Sequence, residues 1–139
     1  MRSALWPDDH RQEVDRFYAG ELVGMAVFVA PRPGGGLRGF AEWGLRPFAE
    51  GCRTSPVGYL EGIWTDEDAR RSRVATALYR IGADWSRGQG CEELASDCAL
   101  DNLVSYRFHL SLGFEEAERV ICFRRDVPTR PHVPSDSGA

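Results

Sequence analysis

The 139 residues are enough for one ordinary domain, and 42% apolar with 27% charged residues is the composition of a folded globule rather than of a disordered chain. Seventeen basic residues, all of them arginine, stand against twenty-one acidic ones, and the resulting net charge of −4 argues against a general nucleic-acid binder. No stretch approaches the roughly 20 consecutive apolar residues that a membrane-spanning helix needs, and the first seven residues lack the apolar core of a secretion signal, so the chain reads as a soluble cytoplasmic domain.

The segment Asp8–Ala19 is polar and mixed, a short helix or an ordered loop. Glu21–Ala30 is β-branched and apolar and reads as a strand. Pro31–Gly36 breaks it with a turn, and Leu37–Arg46 resumes as the second strand of a hairpin. After a loop at Glu50–Pro56, Val57–Thr65 is a strand with little polarity on either face, the mark of a central, buried position. The period then changes: Val74, Ala77, Leu78, Ile81 and Trp85 fall at helical spacing, and the helix ends near Gly88 and Gly90. Cys91–Asp97 reads as a short strand. Asn102–Leu112 reads as a second helix, with Leu103, Tyr106 and Leu110 on one face and Phe108 and Leu112 widening it. Gly113 stops that helix, and Glu115–Arg125 is a last strand centred on Val120–Phe123. Hairpin, strand, helix, strand, helix, strand is an α+β (or α/β) order with a mixed sheet. Residues 1–126 form a single domain, and the tail from Val127, with Pro128, Pro131 and Pro134 among small polar residues, is expected to be disordered.

Cys52, Cys91, Cys98 and Cys122 show no C-x-x-C pairing and no zinc-ligand rhythm with His10, His109 and His132. They read as free structural thiols, with Cys98 and Cys122 acting as small hydrophobes inside apolar runs, and no metal is indicated.

Two features carry chemistry. Arg70, Arg71 and Arg73 gather where a helix begins, and guanidiniums beside the free N–H groups of a helix start make a phosphate cradle. The same residues also read as a solvated turn balanced by Asp66, Glu67 and Asp68; they are not a Walker loop. Glu61 interrupts an apolar strand, where a charge is costly without a partner, and Asp97 closes another strand. Taken singly, Glu61 reads as a salt bridge to a hairpin arginine and Asp97 as a helix cap. Taken together, on adjacent elements of one sheet, they read as the lining of a site for a cationic ligand. A phosphate-bearing ligand and an amine-bearing one suggest a transferase.

Thr54–Ile63 (TSPVGYLEGI), Arg70–Thr76, Leu94–Asp97, Asp101–Asn102, His109–Phe114 and Glu115–Val120 resemble the aminoglycoside 6'-N-acetyltransferases of the GNAT superfamily. The resemblance runs from about Leu5 to Arg125 and is weaker across the hairpin. It implies the GNAT acyl-CoA N-acyltransferase fold, lacking the usual first strand and most of the first helix. It further implies acetyl-coenzyme A as donor, the 6'-amine of an aminoglycoside as acceptor, antibiotic resistance as the outcome, and a homodimer. The cofactor's pyrophosphate would lie on the segment Arg70, Arg71, Ser72, Arg73, Val74, Ala75 and Thr76. Its pantetheine would run beside Ile63, Trp64 and Thr65, with Asn102 also on the cofactor side. Trp6, Phe48, Glu61, Asp97 and Glu118 match positions that line the aminoglycoside site. Glu61 or Asp97 would orient the amine and take its proton, and a backbone N–H at Ile63 or Trp64 would stabilise the oxyanion of direct transfer. His109 stands where many members have a tyrosine that protonates the leaving thiolate; its other reading is packing or cofactor contact. Two further departures are Arg73, where the loop usually has glycine, and Phe48, where a tyrosine is frequent. The competing readings are an acetyltransferase for another cationic amine, such as a polyamine, and a non-catalytic acetyl-coenzyme A-binding module.

Overall fold

In the computed structural model, which describes residues 24–70 and 73–130, β1 (Met25–Pro31), β2 (Leu37–Arg46), β3 (Val57–Thr65) and β4 (Leu94–Ser96) lie side by side in that order. The first two pairings are antiparallel and the third is parallel, as it must be when helix α1 (Val74–Gly88) carries the chain back across the sheet. Gly35 and Gly36 close the β1–β2 hairpin at φ 107° and 76°, conformations that a side chain resists. The mixed sheet, and the limits of β2 and β3, are as the sequence predicts.

Large and small residues interlock between sheet and helix. Ala41, Trp43, Leu60, Val74 and Leu78 form the main core cluster, on the α1 side of the sheet. Val57, Tyr59 and Ala49 form a second cluster. The buried stripe of α1 is Val74, Leu78, Gly82 and Ser86, rotated from the apolar face that the sequence predicts. Ile81 is 48% exposed, and Ala77 also faces solvent. The reason is room: a Cβ at Gly82 would overlap the Trp43 indole, and one at Gly58 would overlap Ser86. Small residues let the helix lie close over a strand that carries a tryptophan.

Several expectations from sequence are corrected. The first strand includes Pro31, which stands at a register shift on its end rather than outside it. Cys91–Asp97 yields a strand of only Leu94–Ser96. Helix α2 (Leu103–Ser111) buries no residue, so its predicted apolar face is at most half-covered. No last strand forms at Glu115–Arg125: the chain runs without regular structure there, with Ile121 80% and Phe123 92% exposed. A strand needs a neighbour for its ladder, and every pairing among the described residues belongs to β1–β4. Cys98 and Cys122 are exposed rather than packed as hydrophobes. Asp8–Ala19, the start of the predicted first strand and most of the tail lie outside the described residues, and no described helix is long and apolar enough to cross a membrane.

Candidate active site

The strand β3 departs from regularity at the residue that carries its charge. Glu42 pairs with Gly62 and Trp43 with Leu60, which leaves Glu61 as the extra residue of a β-bulge. Leu60 and Ile63, three apart, consequently both reach the core cluster on the α1 side, which strict alternation forbids. Val57, Tyr59 and Glu61 occupy the opposite face. The parallel ladder to β4 ends at Leu60–Ser96, while β3 continues to Thr65. Beyond that point the β4-side backbone groups of residues 61–65 have no strand beside them among the described residues. An extended ligand can add itself to such an edge.

A chain of contacts fills the face beside this opening. Arg46, the last residue of β2, donates from Nε to Glu61 Oε1 at 2.9 Å and from Nη2 to Glu61 Oε2 at 2.7 Å. Its guanidinium carbon stands 3.5 Å from the centre of the Tyr59 ring. The Tyr59 hydroxyl donates to Asp97 Oδ2 at 2.7 Å. Burial, then the bond to Asp97, pushes the Tyr59 phenol up and keeps it protonated; the bond to Glu61 raises Arg46. Glu61 and Asp97 are thus joined through Arg46 and Tyr59. Glu61 also makes the salt bridge to a hairpin arginine that was its other reading, whereas Asp97 caps no helix. That place belongs to Asn102, whose side-chain oxygen accepts from the Ser105 N–H at 3.1 Å at the start of α2.

His109 projects from α2 toward β4. Its Nδ1 lies 2.7 Å from the Ser105 carbonyl, which only accepts, so Nδ1 carries a hydrogen. Its Nε2 lies 2.8 Å from Ser96 Oγ, and that hydroxyl lies 3.0 Å from the Leu60 carbonyl. The serine has one hydrogen to give. With His109 neutral it turns to Nε2; with His109 charged it serves Leu60. Ser96 thus links His109 to the β3 backbone at the point where β3 and β4 part.

At the other end of the opening, α1 begins without a side-chain cap, and the N–H groups of its first turn have no carbonyl within the helix to bond. Val74 is buried in the core, so only its backbone faces outward there. Arg70 leans on Trp64, 5.4 Å from the ring centre, and its Nε donates to the Thr65 carbonyl at 3.4 Å. Among the described residues, Asp66 and Asp68 are held by Arg32 and not by Arg70 or Arg73. Arg32, from the hairpin turn, takes Asp66 at 2.9 Å and Asp68 at 2.6 and 2.8 Å and holds both carboxyls below their ordinary range. Arg70 and Arg73 both stand exposed at the start of α1.

Arg73 itself adopts φ 64°, ψ 16°, the left-handed conformation that glycine takes without cost. Arg73→Gly is expected to raise the unfolding free energy by about 0.5–1 kcal/mol, after the extra freedom of an unfolded glycine is counted. Thermal unfolding checks it, and an unchanged or lower midpoint would mean that the loop carries no strain here.

Other predicted positions are less engaged. Phe48 is 66% exposed, and Glu118 is exposed on the irregular segment after α2. Trp6, Arg71 and Ser72 lie outside the described residues. Among the described residues, no group of three or more His, Cys, Asp or Glu side chains is placed to hold a metal ion. Arg46, Tyr59, Ser96 and Arg32 were not singled out from sequence. The i, i+2 spacing of Tyr59 and Glu61 on one strand was the available signal.

Comparison with known proteins agrees with this geometry. Residues 3–114 match the model of the acetyltransferase (GNAT) family. The chain is 42% identical over 132 residues to an aminoglycoside N(6')-acetyltransferase type 1 of Klebsiella aerogenes, covering 91% of this chain and 87% of that protein. Among solved structures it is similar to AAC(6')-Iy in complex with a bisubstrate analogue, CoA-S-monomethyl-acetylneamine, with a TM-score of 0.82, 36% identity and coverage of 91% and 88%. It is similar also to apo AAC(6')-Ig from Acinetobacter haemolyticus, with a TM-score of 0.82, 35% identity and the same coverage of 91% and 88%.

Proposed function

The chain belongs to the acetyltransferase (GNAT) family, and from that premise we propose that it transfers the acetyl group of acetyl-coenzyme A to the 6'-amine of aminoglycosides. The observation that carries this reading is the parting of β3 and β4 at Leu60–Ser96, with an uncapped helix start on one side and Glu61 and Asp97 on the other. That opening suits a long ligand with phosphates at one end meeting a polycation at the other.

Acetyl-coenzyme A supplies the thioester carbonyl; the protein's own residues do the rest. Backbone N–H groups at the Ile63–Trp64 stretch are the candidates to hold the developing oxyanion. An ammonium has no lone pair to attack with, so a carboxylate must orient it and accept its proton. Asp97, aimed by Tyr59 and next to the point where β3 and β4 part, is the residue we place in that role. His109, through Ser96, is the candidate proton source for the departing thiolate. Arg70, Arg73 and the first turn of α1 bind phosphate, and Asn102, whose amide oxygen caps α2, offers its NH2 group to the same ligand. Trp6, Phe48 and Glu118 would extend the aminoglycoside surface. Acetylation turns an ammonium into a neutral amide, and resistance is the cellular outcome we infer, in the cytoplasm where acetyl-coenzyme A is made.

We also place the protein as a homodimer. Support comes from α2 and the segment after it, where Val104, Ile121 and Phe123 stand more than 80% or close to 80% exposed. An apolar surface of this kind calls for a cover. Light scattering on a sizing column should give twice the 15.5 kDa chain mass, and a single-chain mass at tens of micromolar would rule the dimer out.

Release of thiol from acetyl-coenzyme A in the presence of kanamycin, set beside spermidine, tests the activity. Turnover with kanamycin is expected. Turnover with spermidine alone would point to another amine, and cofactor binding without any turnover would point to a non-catalytic module.

A further inference from the structure

The cation site of this protein already holds a cation. A carboxylate beside an aromatic face recognises an organic ammonium by charge and by the negative face of the ring. Glu61 and Tyr59 form that pair, and the Arg46 guanidinium occupies it, with two parallel hydrogen bonds of 2.9 and 2.7 Å to the one and a stacking distance of 3.5 Å to the other. Asp97, tied to the same tyrosine, completes the cluster. The arginine side chain remains 42% exposed against 27% for Glu61. It reaches the acid from the end of β2, so its long, jointed side chain has solvent on one side and can leave without moving the strand. Solvent screens a half-exposed ion pair, which lowers what a competing charge must overcome to displace it.

We propose that Arg46 is a built-in surrogate for the substrate, occupying the place of an aminoglycoside ammonium on Glu61 and Tyr59 and swinging out to solvent when the aminoglycoside enters. Held in this way, Glu61 is correctly turned before the substrate arrives, and Tyr59 stays aimed at Asp97. The arrangement also selects for polycations. A substrate with several ammoniums recovers at Asp97 and beyond what it spends in displacing the arginine, whereas an amine with one charge has only the contested place to take. Arg46 is therefore a specificity-determining residue that need not touch the reacting atoms.

The inference rests on the aminoglycoside reading, and its test separates the two. Arg46→Gln keeps hydrogen-bonding capacity and removes the competing charge. In steady-state kinetics with kanamycin, KM is expected to fall about fivefold, with kcat altered by less than about twofold. Methylguanidinium, which refills the vacated place, should inhibit R46Q competitively against kanamycin and at lower concentration than it inhibits the wild type. Arg46→Lys, charged but unable to bond Glu61 in two parallel bonds, should fall between the two in KM. A raised KM in R46Q, or a lowered kcat that methylguanidinium restores, would overturn the proposal and make Arg46 a fixed support of Glu61. Equal inhibition of both proteins would overturn it too. A wild type that does not acetylate kanamycin would sink the functional reading instead; displacement would then be read from kanamycin binding by calorimetry, tighter to R46Q if the surrogate holds and no tighter if it does not. Matching thermal unfolding of the variants guards against a folding defect.

Discussion

Gly82→Ala is expected to lower the unfolding free energy by about 3 kcal/mol and the melting midpoint by roughly 10 °C. A Cβ at this position falls on Nε1, Cε2 and Cδ1 of Trp43. The indole has nowhere to go: it is fully buried, tilted against Tyr79 at a ring-centre distance of 6.0 Å, and packed among Ala41, Leu60 and Leu78. Its Nε1 has no hydrogen-bond partner among the described residues, so packing and not a polar contact sets the ring in place there. Either the helix backs away from the sheet, losing contact along Val74, Leu78 and Ser86, or the indole leaves its rotamer. Intrinsic helix preference works in the opposite direction, since alanine exceeds glycine by ~1 kcal/mol in a helix interior. Gly88→Ala, at the last residue of the helix, is the control without overlap, because a Cβ there meets nothing within 4 Å. Urea unfolding of both variants decides the matter: G88A should match or exceed the wild type while G82A falls well below it. Adding Trp43→Phe to G82A should recover part of the loss, as expected for two residues in direct contact. If G82A stayed within about 0.5 kcal/mol of the wild type, close helix–sheet packing would not be what holds this domain together.

The same packing explains what the sequence disclosed and what it hid. The limits of β2 and β3 are legible because glycine and proline bracket apolar runs whose chemistry is local. The buried stripe of α1 is not, because hydrophobicity ranks Ile81 above Gly82, and only the size of Trp43, some forty residues away, reverses the order. The bulge at Glu61 escapes a reading by period, since a single extra residue leaves no mark on composition. That Glu61 and Asp97 would fall on adjacent elements of one sheet was visible from an acid set in an apolar strand and another ending its neighbour. That Arg46 would reach one of them was visible only as a class of partner, a hairpin arginine, and not as a residue. The segment Glu115–Arg125 has the composition of a strand and lacks a neighbour among the described residues, and no propensity scale knows whether a neighbour is there.

Asp97→Asn is expected to cut kcat/KM for kanamycin by about a hundredfold. The substitution is close to isosteric, and the amide oxygen can still accept from the Tyr59 hydroxyl, so the fold and the cluster should survive. What it removes is charge and basicity at the exposed end of β4, beside the backbone edge where the donor would lie. Tyr59→Phe makes the complementary change: the carboxylate remains but loses the 2.7 Å bond that aims it, and a loss of only about three- to tenfold is expected. The pH profile then separates the two services a carboxylate can render. If Asp97 takes the proton, raising the pH toward the amine's own pKa supplies free amine and narrows the gap between D97N and the wild type. If Asp97 serves only to attract and orient the cation, higher pH removes the charge it attracts, and the wild type loses its advantage through a rising KM instead of through a recovering kcat in D97N. Equal kcat/KM for D97N and wild type at neutral pH would take Asp97 out of the reaction. Glu61→Gln is the weaker probe of the same question, because it also releases Arg46 from its ion pair and mixes the loss of a carboxylate with a freed guanidinium in the substrate's path.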